Sequence, residues 1–267
     1  MTFEERARLL TALRARETVD GNRETMVGKA PSSVSRLPSL GIRAVFFDAG
    51  ATLLYPDPPV EEVYARIFAD DGSRFTPAAL RDALTAVWIE IQREKPGDRY
   101  GGVRGEPEFW RDLLGRVRRM LDGGSLSGEA FARLAQHFRD PDVWAVYPDV
   151  VPTLEALAGR GMPLAVVSNW DSYLPRLLEL RGLSGYFRTV SVSAIEETGK
   201  PDAEIFRRTC ARMSVAQAQA LHVGDSLRDD FEGARAAGLH ALLLDRRDQH
   251  GDVAERIRSL AELPERI

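Results

Sequence analysis

The run Ile42-Arg43-Ala44-Val45-Phe46-Phe47 is short, apolar and rich in β-branched and aromatic residues, and it stops at Asp48. That form predicts a buried strand with a polar residue at its carboxyl end. Three later stretches repeat it: residues 163–167 before Ser168, residues 220–223 before Gly224-Asp225, and residues 241–244 before Asp245. Between them the apolar spacing changes to the helical period, over residues 151–160, 172–180, 202–213 and 229–237. This alternation predicts an α/β fold, a Rossmann-like core whose parallel sheet is flanked by helices. Ligands bind such sheets at the carboxyl ends of the strands, so Asp48, Ser168 and Asp225 are expected to face one crevice.

Residues 58–146 carry no run of that kind. Helical spacing recurs there over 60–69, 77–94, 106–121 and 127–138, separated by breakers such as Asp71-Gly72, Pro96-Gly97, Gly101-Gly102 and Gly123-Gly124. The expected layout is a catalytic core of residues 41–57 and 147–267, interrupted by a small all-helical cap over 58–146. A helical block inserted after the first strand is well placed to act as a lid. Residues 1–40 form an N-terminal extension, an amphipathic stretch over 3–16 followed by a polar segment of linker composition.

Charge narrows the partners. With 36 basic against 40 acidic residues the formal charge is −4, which provides no global attraction for nucleic acid or an anionic membrane. An anionic ligand, such as a small phosphorylated metabolite, must be held locally. Cys210 is the only cysteine, so the chain cannot build a disulfide framework or a thiolate zinc cluster, and a reducing cytoplasm fits. The acidic opening Met1-Thr2-Phe3-Glu4-Glu5 does not read as a signal peptide, and no apolar stretch approaches the about 18 residues of a membrane span.

Four motifs stand in order: Phe47-Asp48-Ala49-Gly50-Ala51-Thr52-Leu53, Val166-Val167-Ser168-Asn169, Gly199-Lys200-Pro201-Asp202 and Gly224-Asp225-Ser226-Leu227-Arg228-Asp229-Asp230. An apolar strand ending in Asp is common by itself and often caps a helix. As an ordered set at strand ends, the four resemble the haloacid dehalogenase-like hydrolase superfamily, in the form with a helical cap after the first core strand.

The resemblance implies a Mg²⁺-dependent hydrolase, above all a phosphatase that works through an aspartyl phosphate. Asp48 would be the nucleophile, because a carboxylate can attack phosphorus and form an acyl phosphate that water hydrolyses. Mg²⁺ would be held by Asp48, the carbonyl of Gly50 and Asp225, with Asp230 orienting its water shell. Thr52, Ser168 and Asn169 would donate to the transferring group, and Lys200 would supply a fixed positive charge. Trp170, next after Ser168-Asn169, is expected to overhang the mouth and touch substrate. Asp229 reads as a solvated helix-start residue, His222 as a satisfied core histidine, and Trp88, Trp110 and Trp144 as core.

One position departs from the family pattern. Phosphatases of this kind carry a second aspartate two residues after the nucleophile, as general acid and base, and here that residue is Gly50. General acid–base catalysis is typically worth about 10²–10⁴-fold. The chain is then a phosphatase for good leaving groups or one that borrows another acid such as Asp171, a non-catalytic phosphate- and metal-binding protein, or a metal-independent 2-haloacid dehalogenase, whose halide needs no proton.

Overall fold

The computed structural model describes residues 41–95 and 100–267, so the expected N-terminal helix and linker lie outside the described residues. Among the described residues, six parallel strands form one sheet: β1 (Ala44–Phe47), β4 (Leu164–Ser168), β5 (Phe187–Val192), β6 (Ala220–Gly224), β7 (His240–Leu244) and β8 (Arg256–Ile257), in the order β5-β4-β1-β6-β7-β8. The four apolar runs of the sequence are β1, β4, β6 and β7. β1 takes the centre between β4 and β6, with Phe47 level with Val166 and Val223. The residues that follow these strands therefore emerge side by side.

Strand alternation divides the core between two faces. Val45, Phe47, Val166 and Val223 point to the side covered by α5 (Val150–Gly159) and α6 (Leu174–Leu180). Ala44, Phe46, Ala165 and Val167 point to the other, where α8 (Ala203–Met213) lays down Ile205, Phe206 and Cys210. Both faces of the sheet are buried, the pattern of a doubly wound sheet.

Four longer helices interrupt this core after β1: α1 (Val60–Asp70), α2 (Pro77–Glu94), α3 (Gly102–Leu121) and α4 (Gly128–Phe138). Thr76 and Ser127 cap α2 and α4 by accepting from Ala79 N and Ala130 N. The four helices share an apolar cluster built on Tyr64, Phe68, Val87, Phe109 and Leu113, which Ala194 of the short α7 (Ser193–Glu196) joins from the core side. An antiparallel pair of three-residue strands, β2 (Leu54–Pro56) and β3 (Trp144–Val146), brackets the entry to and exit from this segment. Neither strand is predicted by the sequence pattern, and β5 is also absent from it.

Arg246 fastens the bracket to the core. Its guanidinium donates to both oxygens of Asp149 at 2.8 and 3.0 Å and to the carbonyl of Thr52 at 2.9 Å, and it lies 3.9 Å from the centre of the Tyr147 ring. The loop after β1 and the chain's return at residues 147–149 are thus tied at one point.

Candidate active site

Asp48 directly follows β1 and is buried, with its N–H donating to Val223 O across the sheet. Ser168, the last residue of β4, donates Oγ–H to Asp48 Oδ1 at 2.8 Å, and Lys200 Nζ donates to the same oxygen at 2.6 Å. Both bonds fall on the same oxygen, Oδ1. Burial and the charge of Asp230 raise the Asp48 pKa above the usual carboxylate value, while Lys200 and Ser168 pull it back.

Lys200 is fully enclosed and bonds Asp230 Oδ1 at 2.5 Å as well as Asp48. Burial works against its charge, yet the fields of Asp230 and Asp48 outweigh it and push its pKa up, which favours the charged form. Its backbone is set by Asn169, whose amide accepts from Lys200 N and donates to Lys200 O, each at 2.8 Å. The Asn169 side chain thus positions the lysine. Asp229 is buried against that amide at 3.4 Å, in place of the solvated helix start expected of it.

The fourth motif folds as a π-helical turn, Leu227–Glu232, in which Phe231 N reaches back to Ser226 O. The wide turn swings Asp230 over the end of β6, where a Cβ on Gly224 would overlap its carboxyl. Only glycine fits at that approach. Asp230 accepts from Ser226 N, Lys200 and the Nε2–H of His222. Burial opposes its charge, but Lys200 and His222 hold it well below the ordinary carboxylate range. His222, read from the sequence as core, is buried and held toward its neutral form, and it supports the site through Asp230.

Asp48, Asp225 and Asp230 each present a carboxylate oxygen within 4.8 Å of the others. Desolvation of its carboxyl and the charges of Asp48 and Asp230 push Asp225 up to about 8, although the residue as a whole is exposed to solvent. Hard oxygen donors with excess negative charge are what a divalent cation of the Mg²⁺ type requires, so these residues fit one. In the loop after Asp48, Thr52 Oγ1 is buried and has no hydrogen-bond partner among the described residues, a donor suited to an incoming oxyanion.

The loop after Asp48 is tight. Leu53 and Leu54 both donate to Ala49 O, and Ala51 adopts φ 52°. At Gly50 a Cβ would lie 3.2 Å from Cζ3 of Trp170, so an indole covers the place where an aspartate would stand. Trp170 in turn packs on Trp144, with ring centres 4.8 Å apart. Asp171 sits beyond it, raised by burial and accepting from Tyr173 N at 3.0 Å and from Trp110. Trp88, Trp110 and Trp144, expected in the core, are half-buried and line a cavity of about 540 Å³ that also meets Asn169, Trp170 and Asp171.

The family model of the haloacid dehalogenase-like hydrolases matches residues 42–238, which takes in all four motifs. The chain belongs to that family. Among its relatives is a haloacid dehalogenase-like hydrolase domain-containing protein 3 from Bos taurus, 31% identical over 77% of this chain and 82% of that protein. A phosphoserine phosphatase from Thermus thermophilus is 34% identical over 70% of this chain and 77% of its own. A HAD phosphatase structure from Thermococcus onnurineus superposes with a TM-score of 0.61 at 28% identity, over 84% of this chain and 97% of that one. The sheet, the strand-end placement of the motifs and these relatives make the protein a hydrolase of the haloacid dehalogenase-like class.

Proposed function

We propose that this hydrolase is a Mg²⁺-dependent phosphatase acting on a small phosphorylated metabolite through an aspartyl phosphate on Asp48, with residues 58–146 as a cap over the site. The observation that carries the reading is the arrangement around Asp48: one carboxylate oxygen held by Ser168 and Lys200, and two further carboxylates alongside. The phosphatases among the relatives support it.

Asp48, Asp225 and Asp230, with the carbonyl of Gly50, would hold the cation, Asp230 being held in its ionised form by Lys200 and His222. When bound, Mg²⁺ offsets the repulsion between a carboxylate and a phosphate dianion. Asp48 Oδ2 attacks phosphorus as the ester oxygen departs with its electron pair. Thr52 Oγ1 donates to an equatorial oxygen and the Lys200 charge stabilises the group as charge develops, while Ser168 Oγ keeps its hydrogen on Asp48 Oδ1. Water then cleaves the acyl phosphate and restores the carboxylate. The carboxylates beside Lys200 raise its pKa and so disfavour it as the proton donor to the leaving oxygen.

Gly50 under Trp170 favours a second reading, displacement of halide without metal, because halide departs unprotonated. The acidic cluster favours the first. Purified protein assayed on acetyl phosphate, phosphate esters and 2-chloropropionate, each with Mg²⁺ and with EDTA, separates them. Mg²⁺-dependent phosphate release that vanishes in Asp48→Asn supports the phosphatase. Halide release in EDTA, without phosphate release, overturns it.

A further inference from the structure

The cavity among the four helices is built for a different surface than phosphate. Its walls are mostly ring and aliphatic carbon, with Leu84, Trp88, Trp110, Leu113 and Phe138 prominent, and its 540 Å³ lies within the range of about 300–1,000 Å³ of small-molecule sites. The wall charges face each other: Arg81 is paired with Glu61 at 2.5 Å, and Arg139, which lies over the Tyr173 ring, bears on Asp171. A leaving group carrying its own ammonium and carboxylate would meet few counter-charges there, whereas an aromatic body would exchange water for ring contacts.

The cavity borders the candidate site through residues of its wall. Asn169, which sets the Lys200 backbone, and Trp170, which covers Gly50, are both part of its wall. Gly50 supplies no proton to the departing oxygen, which favours an ester whose oxygen leaves as a stable anion. Phenolic and naphtholic oxygens do so, and their rings are flat and apolar. Two independent features, an aromatic chamber and a missing acid, call for the same kind of substrate.

We infer that the cap cavity receives the ring of an aryl phosphate monoester, whose phosphate reaches Asp48 while the aryl body lies between Trp88, Trp110 and Trp170. This rests on the phosphatase reading. Asp48 Oδ2 forms the bond to phosphorus, the P–O(aryl) bond breaks, the aryloxide takes the electron pair and solvent protonates it.

Comparison of 2-naphthyl phosphate with phenyl phosphate in Mg²⁺ isolates the cavity, because the two phenols are of near-equal acidity and differ in ring surface. The kcat/KM for the naphthyl ester should exceed that for the phenyl ester by about tenfold or more. Leu84→Arg, which puts a charge into the wall, should cut that ratio to within about twofold of one while hydrolysis of acetyl phosphate, which has no ring, stays unchanged. Ala135→Trp, at an exposed position on the cavity rim, should do the same without touching the core. Acetyl phosphate turnover combined with equal rates on the two aryl esters, or a ratio indifferent to both variants, overturns the inference and leaves the phosphatase standing. No phosphate release from acetyl phosphate or either ester overturns both.

Discussion

Gly50→Asp would return the acid that the family's phosphatases use, and the structure says why it should disappoint alone. The new Cβ would lie 3.2 Å from Cζ3 of Trp170 before any carboxyl atom is placed, against about 3.5–4.0 Å for carbon atoms at rest. Retreat of the indole is restricted by Trp144, 4.8 Å away ring to ring. Overpacking of this kind costs about 1–3 kcal/mol. If the strain is relieved by turning the carboxyl out of line, it removes about ten- to a hundredfold of a gain whose full size is about 10²–10⁴-fold. The single variant should therefore raise kcat/KM on glycerol phosphate about ten- to a hundredfold less than the same substitution does once Trp170 is removed, and it should lower the Tm. Gly50→Asp with Trp170→Ala should gain about a hundredfold or more over Trp170→Ala alone. The assay is a double-mutant cycle on glycerol phosphate with thermal melts of all four proteins. A single Gly50→Asp variant with the full gain and an unchanged Tm would refute the steric argument.

Further expectations concern the metal and the supports of the site. Asp225→Ala should weaken Mg²⁺ binding by calorimetry at least tenfold, whereas Asp229→Ala, whose carboxyl meets Asn169, should lower the Tm and leave Mg²⁺ affinity within a few-fold; the reverse order contradicts the assignment. Because Asp225 titrates near 8 in the folded protein and near 3.8 when unfolded, only the folded state keeps its proton between those values. Its contribution to stability accordingly falls as pH rises from about 4 to 8 and is flat above. Metal-free Asp225→Asn should then gain in Tm over the parent as pH goes from 5 to 8, and a constant difference would show the shift to be absent. Arg246→Ala should cost about 2 kcal/mol, since it strips Asp149 of two charged hydrogen bonds and Thr52 O of one, and a loss under 0.5 kcal/mol in urea melts would contradict that role.

The strands β1, β4, β6 and β7 were legible in the sequence because burial on both faces makes each one a continuous apolar run, and three of the runs lead into candidate site residues, Asp48, Ser168 and Asp225. The edge strand β5, Phe-Arg-Thr-Val-Ser-Val, was not, because its half-exposed residues do not form such a run. β2 and β3 were hidden by brevity and by Pro56, and they matter only once tertiary structure pairs them. Asp229 was misjudged, and the contact of the core histidine His222 with the site went unseen, for a related reason. Their partners, Asn169 and Asp230, come from other strands or from an unusual turn, so nothing in the local pattern reports them. Spacing placed Trp170 at the mouth, but that it covers Gly50 depends on the loop at residues 49–54, which no periodicity encodes.

The central claim is that Asp48 becomes covalently phosphorylated. Protein mixed with ³²P-labelled aryl or acetyl phosphate in Mg²⁺, quenched in acid within the first turnovers and digested with protease, reports this directly. The account predicts a labelled peptide containing Asp48, with a label lost in hydroxylamine as an acyl phosphate should be, and no label in Asp48→Asn. Turnover with the label on another residue, or steady turnover by Asp48→Asn at the parent rate, would contradict it.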